Sequence, residues 1–546
     1  MNTTTTTSST ISTSEKNFDE IILPDLFAAQ VAKTPNAIAL IDYNDDNDRD
    51  KVELTYQQVD DITDQLAVKL IEDYHVRPDS VVGILLPRCA QYVLAYIAIL
   101  KAGGAYMPLE LVYPKPLLGR AVQETEAKVV LTNSTYSNRI DDPSLVMELK
   151  DEYPFFDSNN HKEVAYPSPN YIRPNADHLA FCVMSSGTTG TPKGICQTHR
   201  AAVHSYLDRA TRFPYNNNAD SADRIGAGVF FVWELLRPLC FGGTCIIIPD
   251  HVLFDPEAVT KFIQNHHITR ILWTPSLLQL VLDAVSSENV RDRLSGLRYM
   301  WLCGEVVSRD LAVGFTTLLP NVELMNLYSI SECHDVSIGD LKLLSSDGNS
   351  SSEDDAVRKY ATCGKAIPGV KFYIVDLEDD DDTEKEKSSS SSSSSDNSDG
   401  TIMKLVPDGE TGEVYVGGPV VGRGYLNMSE KTAERFVDNP FPQVDEDGAV
   451  VYAPRLYRTG DLGRVLPKSK ELEILGRCDF MVKIRGYSVV LGAIETALAK
   501  HPKLSSSVVL AVGEEGSRDG KKLVAYVVPV SWNDPPSASS VRQFLK

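Results

Sequence analysis

The chain has 546 residues, 42% hydrophobic and 23% charged, with 53 basic and 75 acidic side chains and a formal charge of −22. That length exceeds what one core organises, so two or more domains are expected, and the acidic balance argues against a nucleic-acid partner. No apolar run approaches the roughly 18 residues of a membrane span, and nine scattered cysteines without a CxxC pair favour a reducing compartment, so a cytoplasmic location is expected.

Residues 1–20 form a Ser/Thr-rich tail without the apolar core of a signal peptide. From Ile21 to Leu40 the spacing of Leu26, Phe27, Ala29 and Val31 predicts an amphipathic helix leading into a strand over Ala37–Ile41. Val81–Leu86, Val129–Leu131, Leu179–Met184 and Thr244–Ile248 read as buried strands, and Ala90–Leu100 as a helix. Such alternation predicts an α/β fold with largely parallel sheets. Residues 344–355 and 377–400 are low-complexity: the second holds Glu378-Asp379-Asp380-Asp381-Asp382 and the serine run Ser388–Ser395. Neither can bury enough apolar surface to offset its ordering entropy, so both are expected as inserted surface loops, inert in preference to phosphorylated.

The most chemical stretch follows the strand at Leu179–Met184. Ser185-Ser186-Gly187-Thr188-Thr189-Gly190-Thr191-Pro192-Lys193-Gly194 offers backbone N–H groups, hydroxyls and one ammonium to a polyphosphate. Glycine lets the main chain approach phosphate oxygens closely. It is not a Walker loop, since Pro192 precedes the lysine; a flexible surface loop is the alternative reading.

This loop resembles the phosphate-binding signature of the acyl-adenylate-forming enzymes, and further motifs fall into that family's order. Leu54-Thr55-Tyr56, Leu100–Pro108 with Tyr113-Pro114, Asn326–Glu332, Gly412–Gly418 with Arg423-Gly424-Tyr425, Tyr457–Asp461, Gly476–Asp479 and Val482–Gly486 are similar to core motifs of peptide-synthetase adenylation domains. The resemblance implies a large multi-layer α/β N-terminal domain over 21–478, with parallel-rich sheets. It also implies a small, incomplete α+β domain over 479–546, joined at a hinge matching Asp479.

It further implies ATP and Mg²⁺, with site roles as follows. Thr188, Thr189 and Lys193 would hold the β- and γ-phosphates, with Ser186, Gly187 and Gly190 of the same loop also binding the nucleotide; Ser331 would contact the α-phosphate. Glu332 would ligate Mg²⁺, a hard ion suited to carboxylate oxygen. Tyr328 would stack on adenine, Asp461 would accept hydrogen bonds from both ribose hydroxyls, and Arg477 would reach the ribose or phosphate side. Lys193, Arg458, Arg477 and Mg²⁺ together would supply the local positive field that an acidic chain must build for ATP. Thr188, Lys193, Glu332 and Arg477 are thereby the catalytic candidates. His199 and His334 match family positions, with packing roles equally open for the first and a neutral wall residue expected for the second.

Amino-acid-activating relatives commonly carry an aspartate where this chain has Val229, ahead of Phe230-Phe231-Val232-Trp233-Glu234. A buried α-ammonium would there lose its partner, at a cost on the order of 3–5 kcal/mol, which disfavours an ordinary α-amino acid. Matching further motif positions puts Phe230, Trp233, Ser276, Trp301, Cys303, Leu327, Asp335 and Val336 around the substrate. Three aromatics with one carboxylate suit a quaternary ammonium. A betaine-like acid, a β- or ω-amino acid paired with Asp335, and a plain small acid remain open.

The family's small domain usually carries a Gly-Lys motif downstream of a segment resembled by Val541–Lys546, so Lys546 is not that lysine, and the chain is expected to be truncated or part of a longer protein. In Gly492-Ala493-Ile494-Glu495, Ala493 replaces a usual glutamate. The resemblance implies adenylation of a small carboxylate, then transfer to the phosphopantetheine thiol of a carrier domain in cis or trans. A standalone acyl-CoA ligase and a catalytically impaired nucleotide-binding module are the alternatives.

Overall fold

The computed structural model describes residues 20–43, 51–150, 166–185, 193–216, 222–342, 360–376, 403–441, 443–444, 450–451, 454–478, 481–484, 487–512 and 522–545. The loop residues Ser186, Gly187, Thr188, Thr189 and Gly190, the hinge position Asp479, the tail to Asp19 and both low-complexity segments lie outside them. The chain divides into two compact units, Met1–Ala222 with Leu235–Cys245, and Asp223–Glu234 with Ile246–Lys546.

In the first unit, α1 (Leu23–Lys33) begins where the Ile22 N–H donates to Asp25 Oδ2 at 2.9 Å and Pro24 occupies the first turn. It buries Leu23, Phe27, Gln30 and Val31; of the positions expected from the sequence, Phe27 and Val31 are buried, Leu26 is half-buried and Ala29 is exposed. A hairpin follows, β1 (Ile38–Tyr43) antiparallel to β2 (Lys51–Thr55). Thr55 and Gln58 then form a reciprocal capping box that starts α2 (Tyr56–Glu72).

Next come β3 (Val81–Ile84), α3 (Ala90–Lys101), β4 (Ala105–Pro108), α4 (Lys115–Glu124), β5 (Val129–Asn133) and β6 (Val146–Leu149). The unit closes with β7 (Leu179–Ser185), β8 (Lys193–Thr198) and α5 (His199–Arg212). The strands order as β8-β7-β4-β3-β5-β6. All neighbours are parallel except β7 and β8. Helix α3 is buried over its whole length, including Lys101, which is held by Asp60 and Asp64 of α2 at 2.6 Å each.

In the second unit β9 (Arg224–Ala227), β11 (Arg270–Trp273), β12 (Tyr299–Cys303) and β13 (Glu323–Ile330) run parallel as neighbours; β10 (Thr244–Ile247), buried throughout, has its first two residues in the first unit and its last two in the second. Antiparallel β14 (His334–Asp340) and β15 (Lys365–Ala366) extend that series. A second sheet joins β16 (Lys371–Val375), β17 (Gly412–Gly417) and the long strand Arg455–Val465, with Leu472–Arg477 beside the last. Its apolar cluster contains Cys363, Ile374, Val414, Leu472 and Ile474, with Tyr328 packed against it. Toward the C-terminus, the hairpin Leu504–Val512/Lys522–Pro529 and helix Leu491–Leu498 share a separate cluster of Leu491, Leu498, Leu504 and Val509. Among the described residues no helix is long and apolar enough to cross a membrane.

Candidate active site

The proposed substrate positions converge on one end of the second unit's parallel strands. Val229, Phe230 and Trp233 follow β9; Ser276 follows β11; Trp301 and Cys303 sit in the last residues of β12; Leu327 lies in the C-terminal half of β13. Asp335 and Val336 open β14, which returns antiparallel and sets Asp335 opposite Ser329. Open α/β sheets bind ligands outside the carboxyl ends of their strands, so the topology itself singles out this edge. Trp301, Cys303, Leu327, Asp335 and Val336 are buried there, while Val229, Phe230 and Trp233 are half-buried.

Local backbone chemistry explains how these side chains are aimed. Phe230 takes a left-handed φ of 55°, and its carbonyl accepts the N–H groups of Trp233 and Glu234 at 2.9 and 3.2 Å, starting the short helix Phe231–Glu234. Gly304, with φ 87°, follows β12; a Cβ there would lie 2.8 Å from Cζ of Phe230, so any larger residue would strain the backbone and push that ring. His334, the residue ahead of Asp335, also has a left-handed φ, 56°, after a turn closed by the Cys333 N–H to the Ile330 carbonyl at 2.9 Å. Its ring meets Trp233 edge to face at 5.4 Å, and its Nδ1 accepts the Asp335 N–H at 3.0 Å, which fits the expected wall role.

Ser276 is exposed. Its hydroxyl donates to Glu305 Oε1 at 2.8 Å, its N–H donates to Oε2 at 3.0 Å, and Thr274 Oγ1 lies 3.1 Å away. Glu305 thus ties the end of β11 to the end of β12, a role that nothing in the linear sequence signalled.

The nucleotide candidates of this unit gather around the strand Arg455–Val465. Thr459 donates its hydroxyl to the Val414 carbonyl at 2.7 Å and accepts the Asp461 N–H at 2.9 Å, across Gly460 with φ 75°. This turn presents Asp461 beside Arg477, whose Nη1 is 3.0 Å from Oδ1. The Tyr328 hydroxyl donates to Asp461 Oδ2. Burial, reinforced by the Asp461 charge, holds that phenol well above its ordinary pKa.

Tyr328, Asp461 and Arg477 are therefore brought together as anticipated. Arg458 is not a member of that group. Its side chain is half-exposed and its Nε lies 2.9 Å from both oxygens of buried Glu413, which offsets the charge it was expected to offer ATP.

Glu332 stands in the turn between β13 and β14 with Ser331, and its Oε1 accepts the Tyr425 hydroxyl at 3.0 Å. Among the described residues no group of three or more His, Cys, Asp or Glu could hold a metal. One oriented carboxylate nevertheless fits Mg²⁺, which usually keeps waters and phosphate oxygens as its remaining ligands.

Lys193 belongs to the first unit. It is the first residue of β8 and pairs in register with Ser185, the last of β7, so the predicted phosphate loop lies between two paired strand ends. His199 in the same unit is fully buried at the start of α5, its Nδ1 accepting the Leu23 N–H at 3.3 Å; burial drives its pKa down to about 3. Packing is its observed role.

A family model described as "AMP-binding enzyme" matches residues 27–390. The chain belongs to the AMP-binding enzyme family. It is 39% identical over 506 residues to glycine betaine reductase ATRR of Emericella nidulans, covering 93% of this chain and 35% of that protein. It is 29% identical over 521 residues to a dimodular nonribosomal peptide synthase of Bacillus subtilis, covering 93% of this chain and 19% of that one. The chain thus spans about a third or less of these relatives.

Among solved structures it matches an ATP-bound RpMatB-BxBclM chimera with a TM-score of 0.71 at 20% identity, covering 96% and 92% of the two chains. A four-domain nonribosomal peptide synthetase bound to AMP and glycine matches at 0.69 and 22%, covering 97% and 34%. These likenesses bear out the α/β adenylation-domain fold. The family membership bears out the reading of the motifs as those of an ATP-dependent, AMP-forming ligase.

Proposed function

We propose that this AMP-binding enzyme activates a small carboxylic acid bearing a permanent positive charge, of the betaine class, as its acyl-adenylate, and passes the acyl group to the phosphopantetheine thiol of a carrier domain. The observation that carries the reading is the composition of one sheet edge: Val229 where an ammonium partner is common, with Phe230, Trp233 and Trp301 as aromatic walls and buried Asp335 as countercharge. A quaternary ammonium donates no hydrogen bond and is held by ring faces and a nearby carboxylate. The similarity to a protein named glycine betaine reductase supports the same substrate class.

In the first step a substrate carboxylate oxygen bonds to the α-phosphorus of ATP while the bond from that phosphorus to pyrophosphate breaks. The chain's work is positioning and charge stabilisation. Asp461 would accept the ribose hydroxyls, Tyr328 would flank adenine, and Arg477 would approach the ribose or phosphate. Ser331 would reach the α-phosphate, and Lys193 with Thr188 and Thr189 would hold the outer phosphates. Glu332 would hold Mg²⁺, which offsets phosphate charge when bound. In the second step the thiol sulfur attacks the acyl carbon and AMP leaves.

A thermal-shift titration with Mg²⁺ and a non-hydrolysable ATP analogue tests this, since ligands binding only the folded state raise the midpoint. An added shift with glycine betaine, absent with an α-amino acid or a plain aliphatic acid, is expected. An equal or larger shift with β-alanine moves the substrate to the amino carboxylates, and no shift with nucleotide overturns the enzyme reading.

A further inference from the structure

Behind the proposed aromatic wall lies a buried ionic cluster. Asp223, immediately before β9, is almost fully buried, and its two oxygens receive four hydrogen bonds. Thr269 Oγ1 donates to Oδ1 at 2.8 Å, Arg270 Nε to Oδ2 at 2.9 Å, and Arg298 Nη1 to both at 2.7 Å. The Arg270 side chain is 2% exposed, that of Arg298 41%. The Arg270 guanidinium carbon lies over the Tyr299 ring at 4.6 Å and over Trp301 at 5.9 Å; Arg298 approaches Tyr299 at 5.3 Å. Tyr299 and Trp301 are stacked, centroids 5.4 Å apart and planes 23° apart. Register explains the alignment: Arg270 on β11 pairs with Tyr299, and Leu272 with Trp301, so one face of β12 carries a row of rings with a cation at one end.

A guanidinium beside rings that are to receive a second cation is a conflict. It draws on the same ring density and repels the substrate charge directly. We infer that Asp223 is a specificity-determining residue, offsetting the Arg270 charge so that Trp301, the ring beyond Tyr299, can accept a cationic substrate. This rests on the betaine-class reading above. A guanidinium 5.9 Å from Trp301 stands about 10 Å from a cation resting on that ring; at an effective dielectric of about 20 its unmasking changes affinity roughly ten- to twentyfold. Arg298, at the solvent side, is screened and contributes less.

The test compares two ligands that differ only in charge, the sulfamoyl-adenosine mimics of the glycine betaine adenylate and of its neutral isostere, the 3,3-dimethylbutanoyl adenylate. Dissociation constants are measured by calorimetry on the full chain. The nucleotide part is common, so the ratio of the two constants isolates the charge. Wild type should prefer the cationic mimic. Asp223→Asn should reduce that preference about tenfold, and Arg270→Gln, in which Asp223 keeps Arg298 and Thr269, should increase it severalfold.

A merely structural cluster would lower the melting midpoint in both variants and weaken both ligands alike. Opposite shifts of the ratio cannot come from loss of folding. A wild-type preference for the cation with ratios unchanged within twofold in both variants overturns the role of Asp223 and leaves the betaine reading standing. A wild type that binds the neutral mimic equally well or better overturns the betaine reading itself, and this inference with it.

Discussion

Gly304→Ala is the sharpest probe of the substrate wall, because it acts on Phe230 from behind without removing any candidate contact. The new Cβ would stand 2.8 Å from Cζ of Phe230 and 3.5 Å from Cε1. Carbon atoms rest at about 3.5–4.0 Å, so the ring must retreat by at least about 0.7 Å. The backbone of Phe230 cannot follow easily, since its carbonyl anchors Trp233 and Glu234 and its φ is already left-handed. Gly304 itself has φ 87°, where alanine costs about 1–2 kcal/mol.

Two effects should therefore separate. The melting midpoint falls by the backbone cost, and affinity for glycine betaine in the presence of nucleotide falls by a lost ring–cation contact of about 0.5–2 kcal/mol, roughly 2- to 30-fold. Phe230→Leu, with Gly304 retained, should lose the same affinity without the backbone term. A Gly304→Ala protein that melts earlier yet binds betaine with unchanged affinity would show that Phe230 does not face the substrate.

The other expectations are simpler to state. His199 has a folded pKa of about 3 against an ordinary 6.5, so its stabilisation is complete above pH 6.5 and is lost as pH falls, by about 1.4 kcal/mol per unit. Asp42, pushed up to about 6 by burial, works in the opposite sense, favouring the folded state as pH falls from about 6 toward 3.8. The stability difference between wild type and His199→Gln isolates the histidine and should shrink by about 2 kcal/mol between pH 6.5 and 5.0; a pH-independent difference would contradict a neutral buried imidazole. Asp461→Ala should raise the dissociation constant of the ATP analogue at least about tenfold, as charge-assisted hydrogen bonds are worth about 1.5–3 kcal/mol; binding within twofold of wild type would remove Asp461 from the nucleotide site. Tyr425→Phe, which frees Glu332 Oε1 from its hydroxyl partner, should raise the Mg²⁺ concentration needed for nucleotide binding severalfold, whereas Glu332→Gln should abolish the Mg²⁺ dependence.

The strands were legible because each is a short apolar run whose burial is decided locally. Leu179–Met184 and Thr244–Ile248 match β7 and β10 to within one residue at either end. Positions such as Trp301 and Cys303 were reached through the motif positions that the family resemblance implies, and both fall within one strand, β12. What could not be read was pairing over distance. Arg458 stands two residues before Gly460 in a motif that suggests phosphate contact, yet Glu413, on the neighbouring strand, takes its charge. Glu305 reaches Ser276, and Asp223 collects Arg270 and Arg298, only because parallel strands align residues far apart in the chain. Left-handed Phe230 and His334 were equally invisible: neither residue type announces a positive φ, and in both cases a neighbouring turn imposes it.

Net charge and local field separate in this molecule for a physical reason. In the first unit buried Lys101 is matched by Asp60 and Asp64. In the second, Arg270 is matched by Asp223, and the half-exposed Arg458 and partly exposed Arg464 are matched by buried Glu413 and Glu473. A buried ion without its partner is costly, so folding selects such pairs regardless of the sign of the whole. The charge of −22 therefore speaks to what the surface attracts or repels. Whether a cationic acid is welcomed is decided instead by which buried countercharge is spent on which guanidinium. On β11 and β12 the inference above gives that choice to Asp223, and a neutral Asn in its place is expected to make the wall less favourable to a cation while Asp335 keeps its charge.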